Sequence, residues 1–160
     1  MNELNYKPTI VLVDDEEMVL KSISSLLDIV SDYKVETFTS PGKALKYIEN
    51  NRVDLVISDY LMPEKDGMTF LTEVKKIKPD IPRIILTGYA DKENAIKAIN
   101  EVGLFQYIEK PWDNDDLLLK IRNGVEKYML IRKLQEKISE MNESNSELNN
   151  MYEEILTAFV

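Results

Sequence analysis

The chain has 160 residues, 44% of them hydrophobic and 31% charged, with a net charge of −9 and neither Cys nor His. That suits one globular domain with an appendage, and an acidic balance without a Lys/Arg block argues against direct nucleic-acid binding by this segment. The missing residue types exclude disulfides, thiol chemistry, His-based metal sites, Ser-His-Asp catalysis and a phosphohistidine carrier.

Thr9 to Val13 is a β-branched apolar run that predicts a buried strand, closed by Asp14-Asp15-Glu16-Glu17. An amphipathic helix is expected next, with Val19, Ile23, Leu26, Leu27 and Val30 inward. Lys34 to Phe38 predicts an edge strand. Ser40-Pro41 is an N-cap followed by Pro at N1, opening a helix that buries Ala44, Leu45 and Ile48. Val53, Leu55, Val56 and Ile57 form the central strand, which stops at Asp59. Pro63 and Gly67 punctuate the loop beyond it. A helix with Phe70, Leu71, Val74 and Ile77 follows. Pro79 and Pro82 bracket the turn to Ile84-Ile85-Leu86, which ends at Thr87-Gly88. Asp91 is expected to cap a helix with Ala95, Ile96 and Ile99 inside, stopped near Gly103. Leu104 to Glu109 is the fifth strand, ending at Lys110-Pro111. Asp113, with Asp116 at N3, predicts the cap of the last helix. Strand and helix thus alternate five times over short connections, which predicts a doubly wound parallel sheet with helices on both faces.

From Asp113 onward the helical pattern is interrupted only by Gly124. Beyond Tyr128 the apolar positions step by three and four. Ile131, Ile138, Asn145, Tyr152 and Phe159 fall at a, and Leu134, Met141, Leu148 and Ile155 at d. About four heptads of this kind predict a coiled coil over 129–160, distinct from a domain over 1–128. A lone Asn at a favours a parallel two-stranded register. Gln135, Lys137, Asn142, Ser144 and Asn149 at e and g carry little charge, so a homodimer is the expected partner. The alternative is a single amphipathic helix folded back on the domain. The pattern runs to Val160 without a cap, so a larger protein is expected to continue beyond it. No apolar run approaches the ~20 residues that span a bilayer. MNELNYKPT lacks the basic and apolar regions of a signal peptide, and a cytoplasmic, membrane-free protein is expected.

Doubly wound sheets bind ligands at the carboxyl ends of their strands. Asp14-Asp15, Asp59, Thr87 and Lys110 all fall there. Taken singly, each has a plain explanation as a cap, a turn or a solvated surface residue. Together they describe three carboxylates and one ammonium converging on one crevice. Carboxylate oxygens are hard ligands suited to Mg²⁺. With that charge balanced, Asp59 could act as a nucleophile toward phosphorus, with Lys110 sharing the charge of the transferring group. The Thr87 hydroxyl could donate to a phosphoryl oxygen.

The segments VDDE, SDYLMPEKDG, LTGYAD and YIEKPWD, in this order and at these separations, closely resemble the receiver domains of two-component response regulators. The resemblance covers about residues 8 to 128 and implies a flavodoxin-like (βα)5 fold with strand order 2-1-3-4-5. It implies that Asp59 is the phosphoacceptor. Asp14, Asp15 and the Leu61 backbone carbonyl would join it around Mg²⁺. Thr87 and Lys110 would contact the phosphoryl group, and the Lys110–Pro111 bond would be cis. Tyr107 matches the aromatic switch that turns inward as Thr87 moves. The donor would be a histidine kinase on a separate chain. Gly88 leaves room for phosphoryl access. Leu61 and Tyr89 flank the phosphate path without an amide or carboxylate to orient water, so slow self-hydrolysis is expected. Trp112 is expected to pack at the start of the last helix.

The resemblance implies a domain that assists its own phosphorylation and dephosphorylation but has no independent substrate. The switch would travel through the fourth helix, fifth strand and fifth helix into the coiled coil. Two rivals stand beside it. A Mg²⁺ phosphatase resembling the haloacid dehalogenase group would want a second acid two residues after Asp59, where Leu61 stands. A degenerate receiver would serve only as a dimer module, which the intact acidic set argues against.

Overall fold

The computed structural model describes residues 5–101 and 103–158. Five parallel strands, β1 (Thr9–Val13), β2 (Lys34–Phe38), β3 (Leu55–Asp59), β4 (Arg83–Thr87) and β5 (Gln106–Glu109), form one sheet in the order β2-β1-β3-β4-β5. Helices α1 (Glu17–Val30), α2 (Pro41–Asn50), α3 (Gly67–Ile77) and α4 (Lys92–Glu101) connect them, and α5 (Asn114–Ala158) follows. This is the flavodoxin-like arrangement expected from the sequence. β1, β3 and β4 are buried along their whole length, whereas the edge strands β2 and β5 are partly exposed. Two apolar layers cover the sheet. One gathers Val11, Val56, Phe70, Val74 and Ile85; the other gathers Ile10, Ile23, Leu27, Leu55, Ile84 and Ile121.

Local chemistry sets the element ends. Ser40 accepts a hydrogen bond from the Lys43 amide at 3.4 Å, ahead of Pro41 at the first helical position. Asp66 caps α3 by accepting from the Thr69 amide at 2.7 Å. Asp113 accepts from the Asp115 and Asp116 amides at 2.7 and 3.2 Å, while the Asp116 carboxylate pairs with Lys120 at 3.0 Å. Gly103 has φ +73°, a conformation that suits glycine, and lies two residues after the end of α4.

Several details differ from the pattern-based reading. Leu20 takes the buried place on α1, and Val30, at the helix end, is exposed. Ile96 faces solvent while Ala98 is buried, because α4 meets the sheet along its small residues. Asp91 is the last residue of a short 3-10 turn, Tyr89–Asp91, that leads straight into α4. Val53 and Leu104 are buried but precede β3 and β5. Gly67 belongs to the first turn of α3 and not to the loop. Gly124 does not interrupt α5: a Cβ there would lie 2.8 Å from Leu55 Cδ1, so glycine lets this helix approach the sheet. Phe159 lies outside the described residues.

The chain divides into two compact units, one ending at Tyr128 and one beginning at Met129. Within the second, Leu134, Ile138, Met141, Leu148, Tyr152 and Ile155 are all exposed, as is Asn145. No helix among the described residues is long and apolar enough to cross a membrane.

Gly67 is the glycine with the least room for a side chain. A Cβ at this position would stand 2.0 Å from the backbone carbonyl oxygen of Asp59, and backbone cannot yield as a side chain can. Gly67→Ala is expected to destabilise the domain by on the order of 3 kcal/mol in chemical denaturation. An unchanged midpoint would contradict this packing.

Candidate functional site

β1, β3, β4 and β5 end together, and the parallel register carries their last residues to one edge. Val13 pairs with Ser58, Asp59 with Leu86, and Thr87 with Glu109. Asp14 is the residue after β1 and is 1% exposed; Asp59 ends β3 and is 8% exposed. Asp15 is exposed. One carboxylate oxygen from each of Asp14, Asp15 and Asp59 lies within 4.8 Å of the others. Lys110 is the residue after β5. Its Nζ is 2.9 Å from Asp59 Oδ1 and 3.2 Å from Asp14 Oδ2. Pro111 follows through a cis peptide bond.

The second oxygen of Asp14 accepts from the Glu16 amide at 2.8 Å, which fixes the carboxylate at the entrance to α1. Asp59 is held from behind by its backbone. The Tyr60 amide donates to the Leu86 carbonyl at 2.9 Å, and the Gly67 amide donates to the Tyr60 carbonyl at 2.8 Å. The Ser58 hydroxyl donates to the Asp59 carbonyl at 3.0 Å. Thr87 is fully buried, and its hydroxyl donates to the Gly88 carbonyl at 3.0 Å. A Cβ at Gly88 would meet nothing within 4 Å, so the space on that side of Gly88 is open. Leu61 and Tyr89 are exposed at the mouth. Tyr107 is half-buried on β5, and Trp112 packs partly buried against the layer that contains Ile121.

Electrostatics follow from this crowding. Burial pushes the Asp59 carboxyl above the ordinary carboxylate value, against the hydrogen bond and charge of Lys110. Asp14 is raised for the same first reason, with the Asp59 charge adding to it and the Glu16 amide and Lys110 opposing. Burial would lower Lys110, but the hydrogen bond and charge of Asp59, then those of Asp14, outweigh it and hold the ammonium above its usual value. Three carboxylates face one cation. Hard oxygen donors this close together, with an excess of negative charge, fit a divalent ion such as Mg²⁺.

The sequence pattern named Asp14, Asp15, Asp59 and Lys110, and the fold brings these four to one place. It did not foresee the Gly67 approach or the Ser58 bond, which are backbone contacts with no periodic signature. A glycine eight residues past a strand-ending Asp was the only available hint.

The chain belongs to the response regulator receiver domain family, which it matches over residues 10–122. It is 36% identical over 118 residues to the hydrogenase transcriptional regulatory protein HoxA of Cupriavidus necator, covering 74% of this chain and 24% of that protein. It is 37% identical over 125 residues to the transcriptional regulatory protein GlrR of Escherichia coli, covering 77% of this chain and 28% of that protein. The chain therefore spans about a quarter of the length of these curated relatives. Among solved structures, a response regulator receiver domain protein from Clostridium thermocellum is 40% identical with a TM-score of 0.72, covering 78% of this chain and 98% of that one. The signal receiver domain of an HD domain-containing protein from Pseudomonas fluorescens Pf-5 is 34% identical with a TM-score of 0.75, covering 83% and 97%.

The raised Asp59 value sets a pH dependence. The folded state binds this proton more tightly than the unfolded chain, so the group favours folding below its unfolded value near 3.8. That contribution falls as pH rises through the folded value, and above it the ionised carboxylate costs stability. Asp59→Asn is therefore expected to raise the melting temperature at pH 7 without divalent ions, by on the order of 3 °C. The gain should vanish toward pH 4. Adding Mg²⁺ should stabilise the wild type more than Asp59→Asn. Equal melting temperatures at pH 7 in both conditions would contradict this balance.

Proposed function

We propose that this segment is a phosphorylation-controlled switch in which Asp59 accepts a phosphoryl group from a histidine kinase on a separate chain, in the cytoplasm. The observation that carries this reading is the Lys110 ammonium 2.9 Å from Asp59 Oδ1, beside two further carboxylates, in a member of the receiver family. An Asp59 oxygen would attack phosphorus. The P–N bond to the donor imidazole would break, its electron pair staying on nitrogen, and an aspartyl phosphate would result. Lys110 would face the charge that develops on the transferring oxygens. The Thr87 hydroxyl would leave the Gly88 carbonyl to donate to the phosphoryl group, through the space that Gly88 leaves open.

Asp14, Asp15, Asp59 and the Leu61 backbone carbonyl would hold Mg²⁺, which when bound supplies charge neutralisation and orientation of phosphoryl oxygens. Thr87 and Tyr107 would form the switch, the tyrosine moving inward as the threonine turns. The receiver unit would comprise residues 1–128. Residues 129–160 would pair with a second copy as a parallel coiled coil through Ile131, Leu134, Ile138, Met141, Asn145, Leu148, Tyr152 and Ile155. α5 would belong to the switching face at its start and carries the heptad pattern toward its end; that it is one helix over Asn114–Ala158 supports passing the signal along it. The domain would assist its own phosphorylation and dephosphorylation and act on no other substrate. As in relatives named as transcriptional regulators, the switch would govern an output module on the same chain.

Acetyl phosphate with Mg²⁺ should label the wild type stoichiometrically and Asp59→Asn not at all, read by intact mass. Labelling of Asp59→Asn, or none of the wild type, would overturn the assignment. The label should persist for minutes or longer, because neither Leu61 nor Tyr89 orients water. Leu61→Asn should shorten its life several-fold by supplying an amide, and loss from the wild type within seconds would contradict the reading. Sedimentation should give a dimer that Ile138→Lys weakens by roughly a hundredfold or more. Cross-linking along 129–160 that ignores phosphorylation would separate dimerisation from the switch.

A further inference from the structure

Tyr107 is gripped from α5 by one side chain. The Lys120 Nζ donates to the Tyr107 backbone carbonyl at 3.1 Å and lies 5.4 Å from the centroid of the Tyr107 ring. Its third contact is the Asp116 carboxylate at 3.0 Å, one turn back on the same helix. The Lys120 side chain is only 22% exposed, so little water is at hand to replace a contact that it loses. Tyr107 itself is half-buried, packed against the layer that contains Val56, Ile85 and Ala95. An ammonium over an aromatic face is attracted by the ring quadrupole, and a charge-assisted bond to the carbonyl of the same residue adds to it. A single cation thus restrains both the main chain and the ring of one residue on a different element.

We propose that Lys120 is a positioning residue for Tyr107: it latches the tyrosine in the half-buried placement and opposes the inward move that accompanies phosphorylation of Asp59. The inference rests on the switch reading above. If the competent arrangement requires Tyr107 to leave this placement, the latch lowers the fraction of molecules ready to react. Weakening it raises that fraction with no change to any group at the carboxylate site.

The test measures the initial rate of Asp59 labelling by subsaturating acetyl phosphate with Mg²⁺ in the full chain. Lys120→Met keeps the aliphatic stem and removes the cation, and should raise the rate by roughly threefold or more. Lys120→Arg keeps a cation that can stack and donate, and should return the rate close to wild type. Asp116→Asn removes only the helix-surface pair and should leave the rate near wild type. In a Tyr107→Ala background, Lys120→Met should add nothing. An unchanged or slower rate in Lys120→Met, an equal rise in Asp116→Asn, no return in Lys120→Arg, or a full rise in the Tyr107→Ala background each overturns the latch. All of these leave the phosphoacceptor reading standing if wild type is labelled. A wild type that takes no label overturns both.

Discussion

One ammonium set among three carboxylates is the constraint around which this molecule is arranged. Asp14 and Asp59 are almost fully enclosed, and enclosed charges of like sign repel strongly. Lys110 reaches both at hydrogen-bond distance and offsets part of the cost. It cannot balance all three acids, and the site is left with an excess of negative charge. A site built this way is poised to take up positive charge, and a parallel sheet is one of the few scaffolds that delivers four such side chains to one edge from the ends of three separate strands.

The scaffold behind that edge is stiff for identifiable reasons. The backbone carbonyls around Asp59 are met by Ser58 and by the amide of Gly67, a residue with no space for a side chain. On the other side of the sheet centre, buried Arg83 donates to the Leu71 carbonyl at 2.9 Å and to the Gly103 carbonyl at 3.0 Å. It thereby ties α3 to the turn before β5. Burial lowers the affinity of this guanidinium for its proton, yet its ordinary value is so high that it remains charged. β5 carries both Tyr107 and, one residue past its end, Lys110. The same tether that locates the ammonium therefore locates the aromatic ring that Lys120 holds.

α5 carries two patterns in one continuous helix. Its early turns bury Leu117, Ile121, Val125 and Tyr128 and use Gly124 to come close to Leu55 and Phe105. From Leu134 on, its apolar residues are exposed. A stripe of exposed Leu, Ile and Met on a helix with a 3.5-residue repeat is costly in water unless another helix covers it. That cost is what supports the proposal that a second copy covers the stripe. The low charge at e and g, with Lys137 the only ionised group among Gln135, Asn142, Ser144 and Asn149, offers little to select a foreign strand.

Residue order alone determined the alternation of five strands and helices, the buried character of β1, β3 and β4, the Ser40 and Asp113 caps, and the placing of Asp14, Asp15, Asp59 and Lys110 at strand ends. These follow from local propensity and period, which short windows carry. Inward faces were legible less completely. Ile96 and Val30 look apolar enough to bury, but the sheet they would cover is met instead by Ala98 and Leu20. Only the tertiary structure decided how close Gly67 comes to Asp59, that Gly124 is a contact and not a break, and that Lys120 reaches Tyr107. Each of these depends on where two distant backbones meet, and no spacing within one segment encodes that distance.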